Sequence, residues 1–137
     1  MKLFKLTPLK TFKNCSGDIY RIMRKSDPNF DGFGEVYISF LNAKSQKGWK
    51  LHTKNFSNIC VPIGEVKINI YNKSKILEGE FILGESNYQM LKIPNNYYFG
   101  FRNLRDSKSM IINFSEKEHD PKEVISIPLS EIKGSAQ

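Results

Sequence analysis

Ten short runs rich in β-branched and aromatic residues, spaced regularly along the chain, constrain its fold more than any other feature. They are IYRIMRK, GEVYISFLN, GWKLHT, SNICVPI, EVKINIYN, EGEFILGE, QMLKIP, YYFGFRN, KSMIINF and EVISIPL. Several alternate with period two, as a half-buried strand must. In the fifth, Val66, Ile68 and Ile70 share one face, while Glu65, Lys67, Asn69 and Tyr71 share the other. Between the runs stand breakers such as SDPNFDGFG, NAKSQKG, IGE, NKSK, PNN and RDSKS, whose Gly, Pro, Asn and Asp residues favour turns. No segment keeps a helical period beyond two turns; PKEVISIPLSEIKG has room for one short helix. Short strands with such punctuation predict an all-β sandwich or barrel.

At 137 residues the chain fits one domain, 1–137, large enough to bury a core without disulfides or metal staples. Cys15 and Cys60 form no CxxC pair, and Cys60 within NICVPI reads as a small buried hydrophobe. No run approaches the roughly 18 apolar residues of a membrane helix, so no membrane partner is expected. The N-terminal MKLFKLTPLK has neither a long apolar core nor a small-residue cleavage site, which makes the cytoplasm the expected compartment. The net charge is +7, concentrated early: Lys2, Lys5, Lys10, Lys13, Arg21, Arg24 and Lys25 face only Asp18 in the first 25 residues. Such a balance is compatible with nucleic acid, an anionic membrane or a small phosphorylated ligand. The cations form no dense cluster and accompany no reading motif, so nucleic acid is not the expected partner.

The segment GWKLHT holds the sole tryptophan and one of two histidines. On a strand, Lys50 and His52 point one way and Trp49 and Leu51 the other. An imidazole titrates near neutral pH and serves as a general base; an ammonium beside it can offset a developing enolate or bind phosphate. Trp49 reads as core or interface, and His119 as surface turn chemistry.

The order FGEVYISFLNAKSQKGWKLHTKNFSNICVPIGEVKINIY, LKIPNNYYFGFRNL, MIINFSEKEHDPKEV resembles the cupin-fold group of dTDP-4-dehydrorhamnose 3,5-epimerases and the related sugar 3,4-ketoisomerases, over roughly residues 17–133. The resemblance implies a cupin-type double-stranded β-helix, or jelly roll, usually homodimeric, with a nucleotide-sugar ligand inside the barrel. Of the cupin metal-ligand positions, the two histidines fall on Lys50 and His52, the glutamate on Phe56 or Ser57, and the third histidine on Phe99. One imidazole beside an ammonium does not make a divalent-metal site, so no metal and no cofactor is expected. Epimerases and ketoisomerases of this fold work by proton transfer next to a carbonyl, with a histidine on this strand as base. The resemblance thus implies His52 as base and Lys50 as its helper.

The same resemblance places the epimerases' second acid, a tyrosine, at Asn113, or at Ile112 with a one-residue slip. Tyr98, beside the lost histidine, and Tyr37, on a strand face with Glu35 and Ser39, are the residues that can replace it. Arg21 and Arg102 are candidates to clamp a diphosphate, and Tyr37 and Asn113 to touch the substrate. The expected activity is metal-independent epimerisation or ketoisomerisation of a nucleotide-linked, dTDP-type 4-keto-6-deoxy sugar for surface polysaccharide or lipopolysaccharide. The rivals are a barrel that binds such a ligand without turning it over, and a dimeric accessory scaffold. One fold hosts many functions, so the choice among them rests with the site.

Overall fold

Alternating apolar residues need a surface to bury against, and here two sheets supply it for each other. The computed structural model describes residues 4–132; the ends of the single-domain assignment, 1–3 and 133–137, lie outside the described residues. The first sheet contains β1 (Lys5–Pro8), β4 (Glu35–Leu41), β6 (Ser57–Ile63), β9 (Gln89–Ile93) and β11 (Ser109–Ser115). Its order is β1-β9-β6-β11-β4. The second contains β5 (Gln46–His52), β7 (Glu65–Tyr71), β8 (Leu77–Gly84), β10 (Tyr98–Asn103) and β12 (Val124–Ser126), in the order β12-β5-β10-β7-β8. A small hairpin joins β2 (Thr11–Phe12) to β3 (Ile19–Tyr20). All pairings are antiparallel. This is the expected all-β, single-domain cupin-like jelly roll.

The core lies between the sheets. Val66, Ile68 and Ile70 of β7 are fully buried there, as their alternation predicts, with Ile59 and Val61 of β6, Leu91 and Ile93 of β9, and Ile111 of β11. Segments near the chain's ends cover part of each outer face. Leu9, Tyr20, Ile22 and Met23 lie over Cys60, Tyr88 and Met90 on the first sheet. Burial there pushes the Cys60 thiol up to about 11, which keeps it an inert hydrophobe, as expected. Ile127 and Ile132 cover Trp49, Tyr71 and Tyr98 on the second.

Two expectations need correcting. IYRIMRK is a strand only over Ile19–Tyr20; its remaining apolar side chains plug an outer face instead of joining a ladder, and the Asp27 carboxylate turns the chain by accepting from the Arg24 amide at 2.7 Å. Over its described residues, 121–132, the tail PKEVISIPLSEIKG holds two single 3-10 turns, Pro121–Glu123 and Leu129–Glu131, around β12, because Pro128 prevents a longer helix. Strands β1 and β2 carry too few apolar residues to signal themselves. No helix among the described residues is long and apolar enough to cross a membrane. Gly64 makes the turn between β6 and β7 at φ +92°, against the Ser109 side chain, a conformation and a proximity that only glycine tolerates.

Candidate active site

Strand β5 gives the site its cations. Trp49 and Leu51 are each 1% exposed and face away from the barrel interior, while Lys50 and His52 line an open-mouthed cavity of about 350 Å³ between the sheets. That is the alternation read from GWKLHT. The strand also contains an irregularity that alternation did not predict. On β10, Phe99 pairs with Lys50, but Phe101 pairs with Lys47, so three steps along β5 match two along β10. This bulge at Gly48–Trp49 brings Lys47 onto the cavity face with Lys50, where strict alternation would have turned it outward. Gly100 lies opposite the bulge because a Cβ there would meet the Trp49 ring at 2.5 Å. The Trp49 indole N–H donates to the Leu129 carbonyl at 3.1 Å, and Leu129 lines the cavity.

His52 is fixed from two sides. Its ring stacks on Phe99, with centroids 5.9 Å apart and planes at 21°. Its Nδ1 lies 2.7 Å from Glu123 Oε2, while Glu123 Oε1 accepts from the Lys54 and Asn55 amides at 3.0 and 2.8 Å. Glu123 is 7% exposed. Burial alone would raise its carboxyl pKa, but the hydrogen bonds from His52 and the two amides outweigh that and hold it below the ordinary value. An ionised carboxylate only accepts hydrogen bonds. The proton therefore sits on Nδ1, and in the neutral imidazole Nε2 keeps its lone pair.

Glu123 arrives because β12 pairs with β5, Val124 opposite His52, and because Asp120 caps the preceding turn by accepting from the Lys122 amide at 3.0 Å. Reading the sequence did not single it out. The available signal was an acid opening a strand directly after an Asp-Pro turn.

The opposite sheet supplies Tyr37 and Ser39 from β4, and Ile111 and Asn113 from β11. Tyr37 and Asn113 are register partners, and the Asn113 amide donates to the Tyr37 hydroxyl at 3.0 Å. The Tyr37 pKa is raised, mostly by burial and further by the Glu35 charge, with the Asn113 bond offsetting part of it. The phenol is protonated at neutral pH and, accepting from Asn113, keeps its own O–H to donate. Asn113 is 4% exposed, and its Oδ1 has no protein hydrogen-bond partner.

Three sequence candidates lie elsewhere. Tyr98 packs on the outer face of its sheet with Trp49, Tyr71 and Ile132; since Phe99 faces the cavity, its neighbour must face out. Arg102 alternates outward from Phe101 in the same way and donates to Gln46 Oε1 at 3.0 Å without lining the cavity. The Arg21 guanidinium lies 5.1 Å over the Phe12 ring in the N-terminal cover, beside a separate small pocket of about 130 Å³. His119 is exposed in a loop, where its amide donates to Glu35. Among the described residues no three His, Cys, Asp or Glu side chains converge as a metal-ligand group.

No family model matches the chain. A curated relative, a probable low-salt glycan biosynthesis epimerase of Haloferax volcanii, is 26% identical over 100 residues. That match covers 69% of this chain but 61% of the relative's length, less than two-thirds of it. Among solved structures, a dTDP sugar isomerase from Desulfovibrio desulfuricans G20 superposes with a TM-score of 0.91 at 26% identity, covering 97% of this chain and 90% of that one. The dTDP-6-deoxy-D-glucose-3,5-epimerase of Legionella pneumophila, in complex with dTDP-4-keto-L-rhamnose, gives a TM-score of 0.78 at 16% identity, covering 94% and 74%. A sugar 3,4-ketoisomerase shares the fold at comparably low identity. The resemblance read from the sequence, to the dTDP-sugar 3,5-epimerases and 3,4-ketoisomerases, thus holds for the structural neighbours.

Proposed function

We propose that this protein is a metal-independent epimerase or ketoisomerase of a nucleotide-linked, dTDP-type 4-keto-6-deoxy sugar used in surface glycan synthesis. One observation carries the reading: a histidine with Nδ1 locked to a buried carboxylate lines a cavity that also holds an ammonium and a protonated phenol. His52 Nε2 takes a proton from the carbon beside the ketone, and the C–H electron pair moves into the carbonyl to leave an enolate. Lys50, one pleat from His52, offsets the charge on the enolate oxygen. Tyr37 belongs to the facing sheet, so a proton returned from it reaches the opposite face of that carbon and inverts it. Return of a proton to the former carbonyl carbon from the histidine side, as the first carbon's hydroxyl proton passes to the enolate oxygen, moves the carbonyl instead. The relatives described as a glycan biosynthesis epimerase and a dTDP sugar isomerase support the substrate class.

The test is solvent deuterium incorporation beside the ketone of dTDP-4-keto-6-deoxyglucose, followed by NMR. His52→Asn is expected to abolish incorporation while leaving ligand affinity within a few-fold, because general base catalysis is worth about 10²–10⁴ in rate. A wild-type protein that binds this ligand, or its GDP-linked counterpart, without exchanging either would sink the enzyme reading and leave a binding protein.

A further inference from the structure

We infer that the protein has a second binding site, for a protonated phosphate, in the small pocket between its N-terminal cover and the outer face of the first sheet. The pocket, of about 130 Å³, is lined by Lys10, Arg21, Arg24, Asp27 and Asn29, with Thr7 of β1. Met90 also lines it and belongs to the outer cluster, whereas its neighbour Leu91 belongs to the core between the sheets. The first sheet therefore separates this pocket from the cavity that holds His52. The inference stands apart from the proposed activity.

Three cations and one carboxylate line the pocket. The carboxylate is already engaged: Asp27 Oδ2 accepts from the Arg24 amide at 2.7 Å, and Oδ1 accepts from Arg24 Nε at 3.2 Å. That pair cancels its own charge. Among the described residues neither Lys10 nor Arg21 takes part in an ion pair. The Arg21 guanidinium lies 5.1 Å over the Phe12 ring, a contact that places it without neutralising it. Two cations without a counter-charge beside one pocket attract an anion. The apolar Met23, Pro28 and Met90 around them weaken the screening of that attraction.

A buried amide decides which anion fits. Asn29 is 5% exposed; its Nδ2 donates to Thr7 Oγ1 at 2.7 Å, and its Oδ1 has no protein partner. Thr7, accepting that bond, keeps its own O–H to donate. The ligand must therefore accept from the cations and the hydroxyl, and must donate once to a carbonyl that otherwise stays buried and unpaired. Hydrogen phosphate does both, because it keeps a proton at neutral pH. Sulfate has a similar shape and charge but no proton to give. The volume is well below the roughly 300 Å³ at which pockets begin to enclose larger ligands, so a nucleotide sugar does not fit. A phosphate does, free or at the end of a small monoester. Bound there, it ties Lys10 and Arg21, on the two sides of the β2–β3 hairpin, to the loop at Asn29.

The experiment measures binding of inorganic phosphate, methyl phosphate and sulfate by calorimetry at neutral pH. Wild type is expected to bind phosphate roughly tenfold or more tighter than sulfate, which leaves the Asn29 carbonyl unpaired. Arg21→Met is expected to lose roughly tenfold or more in phosphate affinity, as removal of a charged hydrogen bond does. Lys50→Met, in the other cavity, and the surface control Lys73→Met are expected to stay within about threefold. Asn29→Ala is expected to erase the preference for phosphate over sulfate, with Trp49 fluorescence reporting that each variant is folded. Methyl phosphate that binds like phosphate assigns the site to a terminal monoester; methyl phosphate that binds much more weakly assigns it to the free ion. Three results overturn the inference: wild type that binds no phosphate, wild type that binds sulfate equally well, or affinity lost in Lys50→Met and kept in Arg21→Met. The first two need no variant.

Discussion

Replacing Glu123 by glutamine tests the site's central geometry with little disturbance to the fold. The two backbone amides of Lys54 and Asn55 both donate to Oε1, whereas His52 Nδ1 meets Oε2. A glutamine that keeps its oxygen on the amides must therefore turn its NH₂ toward His52. That group donates, so Nδ1 has to accept, and the ring proton moves to Nε2. The base is then blocked although every side chain stays in place. We expect proton exchange beside the ketone to fall by about 10²–10⁴. Stability should fall by about 1.5–3 kcal/mol, the worth of one buried charge-assisted hydrogen bond, which lowers a urea midpoint by roughly 1 M. The tautomer is read directly by ¹⁵N NMR of His52, and the rate by deuterium incorporation. Exchange within about threefold of wild type, or a ring that still carries its proton on Nδ1, would refute the reasoning.

Tyr37→Phe should leave deuterium exchange running while inverted product falls by about 10²-fold or more; loss of both together would show that the phenol does not return the proton. Glu123 has a depressed pKa, so its stabilising contribution is present above the ordinary carboxyl value of 4.5 and is lost as pH falls through its lower folded value. Urea midpoints followed by Trp49 fluorescence should therefore drop more steeply below pH 4.5 in wild type than in Glu123→Gln, and parallel profiles would contradict this. Val36, Ile38 and Phe40 form a half-exposed apolar row on edge strand β4, so light scattering at tens of micromolar should find a homodimer, and Ile38→Glu should shift it toward monomer.

Much of this was legible in the residues, and the failures have physical causes. Period-two runs and their breakers give the strands, and β7 buries the three residues that its alternation assigns to the core. The same rule sets Lys50 and His52 apart from Trp49 and Leu51. It also excludes Tyr98 and Arg102, which flank Phe99 and Phe101 on one strand: Tyr98 is a candidate by its place beside Phe99 and Arg102 by its guanidinium, but neighbouring residues on a strand face opposite ways. Arg21 is a candidate through its guanidinium, and charge does not say which sheet a segment will cover. Two features had no local signal. Glu123 is 71 residues from His52, and only the pairing of β12 with β5 joins them. Lys47 depends on a one-residue irregularity in register, which shows no trace in a hydrophobic pattern.

The strongest argument from sequence against an enzyme is that the resemblance places a tyrosine acid at Asn113, or at Ile112 with a one-residue slip, and the register of β4 and β11 sets Tyr37 beside Asn113. Antiparallel partners have Cα atoms about 4.5–5.5 Å apart, so a phenol on residue 37 starts one strand away from a phenol on residue 113. The hydrogen bond from the Asn113 amide to the Tyr37 hydroxyl, at 3.0 Å, brings that hydroxyl to the tip of the shorter side chain. A tyrosine moved across one pairing can thus serve the same region of the cavity, from the sheet that faces the histidine. An asparagine at 113 leaves room beside the phenol and supplies an amide that orients it. On the proposed reading, Tyr37 supplies from the opposite position of the ladder the acid that the resemblance places at 113.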